Sequence, residues 1–336
     1  MALTTAAQAG NYSALVTTID GLPVVRLLDA ERRIEVSIAV TIGNNAYEMK
    51  VNGANVFWHP TESLAEWRAK PRLSGNPFMA PWANRLDQDA FFANGKRYLL
   101  NDSLGNLRRD GNKLPIHGLL LSSSLWEVAS LEADDGSARV TSRLDFWKFP
   151  DLMAQFPFAH AVEMSYILQD GRLEVVTRLE NRSAEPMPVA VGYHPYFQVH
   201  DAPRHQWKVH VGAREQVVLS KLLVPTGERK PLGLPDPVLL RDTPLDDVFA
   251  NLIRDGQGRA EFWLEGARQR VSVLFGPKYT IGIVYAPPNS NFVAIEPMSA
   301  VTNGLNLHHA GAYPELQSIP PGGEWRESFW VVPAGF

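Results

Sequence analysis

The 336-residue sequence contains no cysteine, and this absence removes several kinds of chemistry at once. Without thiols the chain cannot form disulfides, zinc–thiolate sites or iron–sulfur clusters, and it has no thiol nucleophile. The absence leaves the redox compartment open, because a cysteine-free chain is compatible with any of them.

The sequence also lacks the long apolar runs and the one-sided charge of membrane and nucleic-acid-binding proteins. No stretch reaches the roughly 18 apolar residues of a transmembrane helix. Residues 1–10 have no basic segment and no long apolar segment, so they make a poor secretory signal and we expect a cytoplasmic protein. The net charge is only −4, so we expect no nucleic-acid partner and no membrane partner; small neutral ligands remain open.

Local motifs for nucleotide cofactors, serine nucleophiles and metals are missing as well. There is no Gly-rich strand-to-helix fingerprint, no P-loop and no nucleophile elbow. The nine histidines are scattered, and the adjacent His308 and His309 would point in opposite directions on an extended chain. We therefore expect no cofactor and no metal, although a metal site assembled from distant residues stays open.

What the sequence does contain is a series of segments in which apolar and polar residues alternate. This period of two is typical of strands with one buried face. The clearest segments are 34–40, 140–146, 172–179, 207–211 and 261–265. The dipeptides Asp170-Gly171 and Asn94-Gly95 predict tight hairpins, and the 25 glycines and 25 prolines suit a mostly antiparallel protein.

Helical and linker signals are weak. Residues 61–70 are the best helix candidate, with Thr61 as the predicted N-cap. The proline-rich stretch 225–244 also contains apolar residues, which indicates a packed excursion instead of a linker. We therefore predict one all-β domain spanning residues 1–336.

Three residues place imidazole or carboxylate chemistry inside apolar or Gly/Pro-rich sequence: His117, His194 and Glu296. His194 and Glu296 each precede a proline, which withdraws a donor from the strand ladder and restrains the residue before it. We therefore expect both residues at strand ends, where their side chains can converge on a cleft.

Each of these residues has a structural interpretation beside the functional one. Glu296 follows an apolar run, so it is either paired with an arginine or functional, because burying a lone carboxylate is costly. Partial burial would raise its pKa and make it a usable base. His194 is either a hydrogen-bonded core histidine or catalytic, and His117 is either a turn histidine beside Gly118 or a site residue.

In combination, the sequence resembles the aldose 1-epimerase (galactose mutarotase) family from about residue 75 to residue 333, with the motifs in the family's order. The matching segments are Asn76–Leu86 with its arginine Arg85, Ala93–Leu100, Ile116-His117-Gly118 with Trp126, Asp170–Phe197 ending in His194-Pro195-Tyr196-Phe197, Leu245–Phe249, Ile295–Met298 and Ile319–Trp325. Residues 1–60 carry no such motif.

The resemblance implies a large twisted antiparallel β-sandwich, the galactose mutarotase-like supersandwich, with a sugar site on its concave face. It also implies interconversion of the α and β anomers of a hexose by acid–base ring opening, without a redox cofactor or metal. By position, Glu296 would be the general base at the anomeric hydroxyl and His194 the general acid at the ring oxygen. His117 would donate a hydrogen bond there, and Arg85 and Asp246 would bind sugar hydroxyls. We expect a monomer or a homodimer.

The sequence departs from the family pattern at some points. Leu119 stands where the family has a second glycine, and the segment 189–193 lacks the usual polar residues, so the resemblance does not extend to a galactose preference. Asp247 could replace Asp246 as the binding carboxylate, since adjacent strand residues face opposite ways.

Other functions stay open beside epimerisation of free hexoses. A hexose-6-phosphate 1-epimerase would need a cluster of arginines at the pocket mouth. The candidates are Arg72, Arg108 and Arg109, which are otherwise solvated surface residues. The third alternative is a non-catalytic carbohydrate-binding protein on the same fold. The fourth is a glycosidase with two carboxylates, of which only Glu296 has a suitable setting.

Overall fold

A computed structural model describes residues 6–241 and 243–336, and strands dominate it. The strands before residue 145 are β1 (Ala6–Ala9), β2 (Tyr12–Ile19), β3 (Leu22–Asp29), β4 (Ile34–Ala39), β5 (Asn45–Val51), β6 (Ala54–Asn55), β7 (Phe78–Met79), β8 (Ala90–Ala93), β9 (Lys96–Leu99), β10 (Glu127–Ala133) and β11 (Ser137–Leu144). Those that follow are β12 (His160–Gln169), β13 (Arg172–Asn181), β14 (Met187–Val189), β15 (Gly192–Tyr193), β16 (Tyr196–Phe197), β17 (Lys208–His210), β18 (Ala213–Leu219), β19 (Pro225–Pro231) and β20 (Val238–Leu239). The last are β21 (Leu245–Leu252), β22 (Ala260–Glu265), β23 (Arg270–Phe275), β24 (Ile281–Ala286), β25 (Val293–Met298), β26 (Gln317–Ile319) and β27 (Glu324–Ala334).

The helices are short. They are α1 (Leu64–Ala69), α2 (Pro150–Gln155) and α3 (Gly304–His309), with 3₁₀ turns at Asp102–Leu104, Phe146–Lys148 and Arg204–Gln206. Residues 61–70 do contain a helix, but the predicted cap at Thr61 is wrong. The helix begins at Leu64, because the extended Ser63 places its hydroxyl to accept from the Glu66 N–H at 3.4 Å.

The strands pair in antiparallel fashion into three large sheets, and the all-β prediction is confirmed. A six-stranded sheet runs β1-β2-β3-β4-β5-β6, a nine-stranded sheet runs β10-β11-β12-β13-β27-β23-β22-β17-β20, and an eight-stranded sheet runs β19-β18-β21-β24-β25-β15-β7 with β16 also on β25. The pairs β14-β26 and β8-β9 complete the described strands. The proline-rich stretch supplies β19 and β20 to two of these sheets, as the packed-excursion interpretation predicts.

Aromatic rings form part of the core between the eight- and nine-stranded sheets. Tyr193 of β15 meets Phe329 of β27 with ring centroids 4.8 Å apart. Phe262 of β22 lies over Gly282 of β24, where a Cβ atom would come within 2.6 Å of the ring, so the close approach of the sheets requires glycine there. Each fully buried phenylalanine contributes about 1.5–3 kcal/mol.

Both predicted hairpins are present, and their turn residues have the backbone geometry that the dipeptides indicate. Asp170 and Gly171 join β12 to β13 with φ values of 49° and 76°. Asn94 and Gly95 join β8 to β9 with φ values of 52° and 73°. Two consecutive residues with positive φ match the twist of paired strands, which is why such dipeptides specify hairpins.

The expectation of an extended chain at His308 and His309 is wrong, because these residues end helix α3. The helix is held by tertiary contacts that the local sequence does not reveal. Leu305 is buried in the core, and the Asn306 amide donates to Asp87 Oδ1 at 2.7 Å and to the Ala90 carbonyl at 3.1 Å.

Candidate active site

His194 reaches the site because the chain alternates at the end of β15. Tyr193 is the last residue of that strand and points between the two sheets, where its hydroxyl meets Thr177 Oγ1 at 2.6 Å. His194 follows it and therefore projects to the opposite face of the eight-stranded sheet. The His194 N–H donates to the Pro77 carbonyl at 3.0 Å, which anchors the backbone. The strand ends before the His-Pro dipeptide, as the sequence indicates.

Glu296, in contrast, lies inside β25 and not at its end, so the predicted strand end is wrong there. The N–H groups of Ile295 and Ser299 donate to the carbonyls of Pro195 and Val191 on the neighbouring chain segment. The ring nitrogen of Pro297 points to the same side between them. The Pro297 nitrogen faces the gap between β15 and β16. No backbone hydrogen bond to a neighbouring strand is required at this point, so β25 tolerates the proline.

Strand register places a set of side chains on one face of the eight-stranded sheet. Glu296 is paired with Ile283 of β24, and Tyr285, two residues further along that strand, is paired with Asp246 of β21. Since side chains two residues apart share a face, Asp246, Tyr285 and Glu296 project to the same side. This side is opposite to Phe249, which packs on the nine-stranded sheet.

The same alternation separates the two adjacent aspartates. Asp247 faces the other side of β21, where its carboxylate accepts a hydrogen bond from the Gln216 amide. Asp246 shares the face of Glu296, so Asp246 and not Asp247 is the carboxylate that stands on the site face.

The centre of the site is a direct contact between an imidazole and a carboxylate. His194 Nε2 lies 3.2 Å from Glu296 Oε1, and the two side chains are only 8% and 2% exposed. Burial raises the pKa of Glu296 well above its usual value, and the nearby Asp246 charge adds to this effect. Burial lowers the pKa of His194, so both groups favour their neutral forms. The pair is thereby suited to hold one proton between Oε1 and Nε2.

His117 completes an imidazole group around this pair. Its ring stands perpendicular to that of His194, with centroids 5.5 Å apart. Its φ of 64° is unusual for a residue with a side chain, and such backbone strain is characteristic of functional sites. The following Gly118 is required, because a Cβ there would lie 2.2 Å from the Ala80 carbonyl oxygen. Burial lowers the pKa of His117, and the positive potential of neighbouring groups adds to the shift.

Arg85 is held at the site by an ion pair. Its Nε donates to Asp110 Oδ2 at 2.7 Å, and its Nη1 donates to Asn84 Oδ1 at 3.0 Å. The guanidinium charge opposes the rise in the pKa of Glu296, so Arg85 acts electrostatically on the Glu296 carboxylate. Asp246 is solvent-exposed at the edge of the group, yet surrounding protein atoms still raise its pKa.

Sequence reasoning left the aromatic residues of the site unassigned, and the structure supplies them. Tyr196 stacks on the His194 ring with centroids 4.6 Å apart, and its hydroxyl lies 3.5 Å from His194 Nε2. Phe292 contacts Tyr196, and Trp58 lies against Phe292 with ring centroids 4.5 Å apart. Tyr285 stands edge-on to His194. Only Tyr196 carried a local signal, through its place two residues after His194.

Several buried polar atoms of the site have no hydrogen-bond partner among the described residues. They are Glu296 Oε2, His117 Nδ1 and His194 Nδ1. Buried polar groups are normally paired, so unpaired polar atoms in this cluster of side chains are suited to a polar ligand rich in hydroxyl groups. Within residues 6–241 and 243–336, no set of three or more histidine, aspartate or glutamate side chains is arranged to hold a metal ion. Over the same residues, no helix is both long and apolar enough to span a bilayer.

The fold and this centre define an antiparallel β-sandwich protein with a buried imidazole–carboxylate pair on the outer face of one sheet. The family model of aldose 1-epimerases matches residues 27–331. The chain therefore belongs to the aldose 1-epimerase family, and the predicted resemblance is confirmed. The match begins well before residue 75, where the recognisable motifs start.

Solved structures agree with the fold. A galactose mutarotase-like protein from Clostridium acetobutylicum is 21% identical over 97% of this chain and 99% of its own, with a TM-score of 0.86. A Synechocystis sp. PCC 6803 protein is 24% identical over 95% of this chain and 98% of its own, with a TM-score of 0.73. Galactose 1-epimerase from Lactobacillus acidophilus NCFM is 14% identical over 95% of this chain and 97% of its own, with a TM-score of 0.70. At these identities the likeness establishes the sandwich architecture.

Proposed function

We propose that this protein is an aldose 1-epimerase that interconverts the α and β anomers of a hexose by opening and reclosing the sugar ring. The observation that carries the proposal is the buried contact of 3.2 Å between His194 Nε2 and Glu296 Oε1. Ring opening needs one proton removed from the anomeric hydroxyl and one delivered to the ring oxygen. A carboxylate and an imidazole sharing one proton can supply both transfers.

In the opening step, the shared proton first passes from Glu296 Oε1 to His194 Nε2, which leaves the Glu296 carboxylate free to act as the base. Glu296 takes the proton from the anomeric hydroxyl O1 as the C1–O1 double bond forms. The C1–O5 bond breaks, and its electron pair takes the proton from His194 Nε2. The products are an open-chain aldehyde, a protonated Glu296 and a neutral His194.

Rotation about the C1–C2 bond then presents the other face of the aldehyde. In the reclosing step, His194 takes the proton back from the O5 hydroxyl as O5 attacks C1. Glu296 returns its proton to the carbonyl oxygen, which becomes the new anomeric hydroxyl. The enzyme regains its starting protonation state, and every proton and electron pair is accounted for.

The remaining side chains would bind and orient the sugar. His117, whose ring centroid lies 5.5 Å from that of His194, would donate a hydrogen bond near the reacting oxygens and stabilise developing charge. Arg85 and Asp246 offer opposite charges to sugar hydroxyls and would hold the ring in one orientation. The half-buried rings of Tyr285, Phe292 and Trp58 provide an apolar wall for the C–H face of a pyranose.

The direct test is anomerisation of freshly dissolved α-aldoses, followed by polarimetry and by NMR exchange between the two anomeric C1–H signals. We expect exchange well above the spontaneous rate for at least one aldose in a panel. Sugar binding without faster exchange would favour the non-catalytic binding protein. Release of nitrophenol from a nitrophenyl glycoside would favour the glycosidase.

Tyr196 is predicted to position the imidazole, so Tyr196→Phe should lower kcat by about five-fold. The substitution keeps the stacked ring and removes the hydroxyl, and losing one hydrogen bond of about 1 kcal/mol corresponds to that factor. KM should change little, because the hydroxyl faces His194 and not the bulk of the sugar. The control is Tyr98→Phe on the β8–β9 hairpin, and equal effects of the two variants on kcat would contradict the positioning role.

A further inference from the structure

The Asp110 carboxylate closes the turn of residues 110–114, which leads into the segment that carries His117. Asp110 Oδ1 accepts the backbone N–H groups of Asn112 and Leu114, each at 2.9 Å. The Asp110 N–H donates to the Leu114 carbonyl at 3.0 Å. These hydrogen bonds fix the orientation of the carboxylate, because they hold one of its oxygens and its own backbone in the same small turn.

The same turn occurs again at residues 255–259. Asp255 Oδ1 accepts the N–H groups of Gln257 and Arg259 at 2.8 and 2.9 Å, and the Asp255 N–H donates to the Arg259 carbonyl at 2.8 Å. In this copy the second carboxylate oxygen, Oδ2, accepts from Nε and Nη2 of Arg259. Both oxygens of Asp255 therefore serve their own turn.

Asp110 differs from Asp255 in the partner of its second oxygen. Leu114 stands where the other turn has Arg259, so the turn itself offers no guanidinium. Asp110 Oδ2 instead accepts from Nε of Arg85 at 2.7 Å, across 25 residues of sequence. The turn at Asp110 therefore connects to a residue of the candidate active site, which the turn at Asp255 does not do.

The ion pair is also well protected. The neighbouring Arg109 does not compete for Asp110, because its guanidinium donates to Asp89 at 2.7 Å and to Asp102 at 2.6 Å. The side chains of Arg85 and Asp110 are only 15% and 8% exposed. Opposite charges attract more strongly in such partly buried surroundings than in open solvent. Asp110 is therefore well suited to restrain the Arg85 guanidinium.

This pairing leaves part of the guanidinium available for a ligand. An arginine has five N–H donors. In Arg85, Nε donates to Asp110 and one N–H of Nη1 donates to Asn84, so the other N–H of Nη1 and both of Nη2 remain. Burial raises the pKa of Glu296 and lowers that of His194, and the Arg85 charge, as a smaller effect, lowers both. The guanidinium thus acts on the reacting pair while Asp110 holds its Nε edge.

We propose that Asp110 is a positioning residue of the sugar site, which holds the Arg85 guanidinium so that its remaining N–H donors are oriented toward hydroxyl groups of the substrate. The inference rests on the proposed epimerase function and deepens it. A free arginine side chain has many rotamers, and ordering it on binding would weaken the affinity for the sugar. The ion pair restricts these rotamers before the sugar binds.

The first experiment measures KM and kcat for anomerisation in Asp110→Ser. Serine can still accept the N–H groups of the turn, but it is too short and uncharged to hold the guanidinium. We expect KM for the best aldose to rise about three- to ten-fold and kcat to stay within about two-fold, because the released Arg85 has the productive orientation only part of the time. A fall in kcat with an unchanged KM would contradict the positioning role.

The matched control is Asp255→Ser, which makes the same change in the matching turn. Asp255 pairs with an arginine of its own turn and its side chain is 43% exposed, so both kinetic constants should keep their wild-type values. If Asp110→Ser does not fold, because it leaves the Arg85 charge unpaired, Asp110→Asn takes its place. The one side-chain oxygen of asparagine should stay with the two backbone N–H groups of the turn, which leaves an N–H₂ group facing Arg85.

The second experiment asks whether Asp110 acts through Arg85. In an Arg85→Gln background, the Asp110 substitution should change KM by less than about two-fold, because the group that Asp110 positions is already gone. A purely structural effect of the turn on the His117 segment would persist in that background. The same rise in KM with and without Arg85 therefore overturns the proposal.

A binding measurement keeps this inference separate from the proposed function. Calorimetric titration with the aldose that binds most tightly should give a Kd that weakens about three- to ten-fold in Asp110→Ser but not in Asp255→Ser. If no sugar is anomerised while this pattern holds, the epimerase proposal fails and the positioning role stands. If anomerisation is rapid but KM and Kd in Asp110→Ser equal those of the wild type, the positioning role fails alone.

Discussion

Glu296→Gln is expected to abolish anomerisation while leaving sugar binding largely intact. Glutamine has nearly the same shape as glutamate, so the site keeps its packing, but the amide cannot accept the proton of the anomeric hydroxyl. Losing one acid–base partner costs about 10²- to 10⁴-fold, and the larger figure is expected because Glu296 is the assigned base. The measurements are the NMR exchange rate and the Kd for the best substrate. Exchange at the wild-type rate would reject the assigned role.

The stability of the same variant separates a chemical defect from a folding defect. Burial raises the pKa of Glu296 in the folded protein above its ordinary value of 4.5, so the folded state binds the proton more tightly than the unfolded chain. Wild-type stability therefore falls as pH rises above about 4.5, until the folded pKa is passed, whereas glutamine does not titrate. We therefore expect the difference in Tm, variant minus wild type, to become more positive as the pH rises through this range. The control is Glu261→Gln, which changes an exposed residue of β22. It should alter neither the NMR exchange rate nor the pH dependence of Tm.

His194→Asn is expected to lower kcat by about 10²- to 10⁴-fold, because the ring oxygen loses its proton donor. The pH profile should change as well. Wild-type activity needs one proton on the His194–Glu296 pair, so its profile falls on both sides. Without the imidazole, activity needs only an ionised Glu296, and the remaining rate should rise with pH without an alkaline decline.

The control for this variant is His205→Asn, which makes the same change at an exposed histidine. It should keep the wild-type rate and the two-sided pH profile. A two-sided profile in His194→Asn would show that the alkaline decline belongs to another group and would contradict the assignment of His194 as the acid.

Local sequence signals predicted most of the secondary structure because those signals act over a few residues. Alternation over residues 172–179 marks a strand whose two faces meet different surroundings, and Asp170-Gly171 specifies the backbone of the turn before it. The same reasoning failed at Glu296. The effect of Pro297 on β25 depends on which chain segment lies beside its nitrogen, and that segment belongs to β15 and β16.

For the candidate site, too, the sequence determined one part and the tertiary structure another. The sequence by itself determined the strand pattern, the hairpins, the family resemblance and the candidate site residues: Glu296, His194, His117, Arg85 and Asp246. Only the tertiary structure decided that His194 and Glu296 touch, that Asp246 and not Asp247 shares their face, and that Asp110 pairs with Arg85. These outcomes depend on pairing register and burial between segments far apart in the chain. A period of two defines two faces of a strand, and the neighbouring strand decides what each face meets.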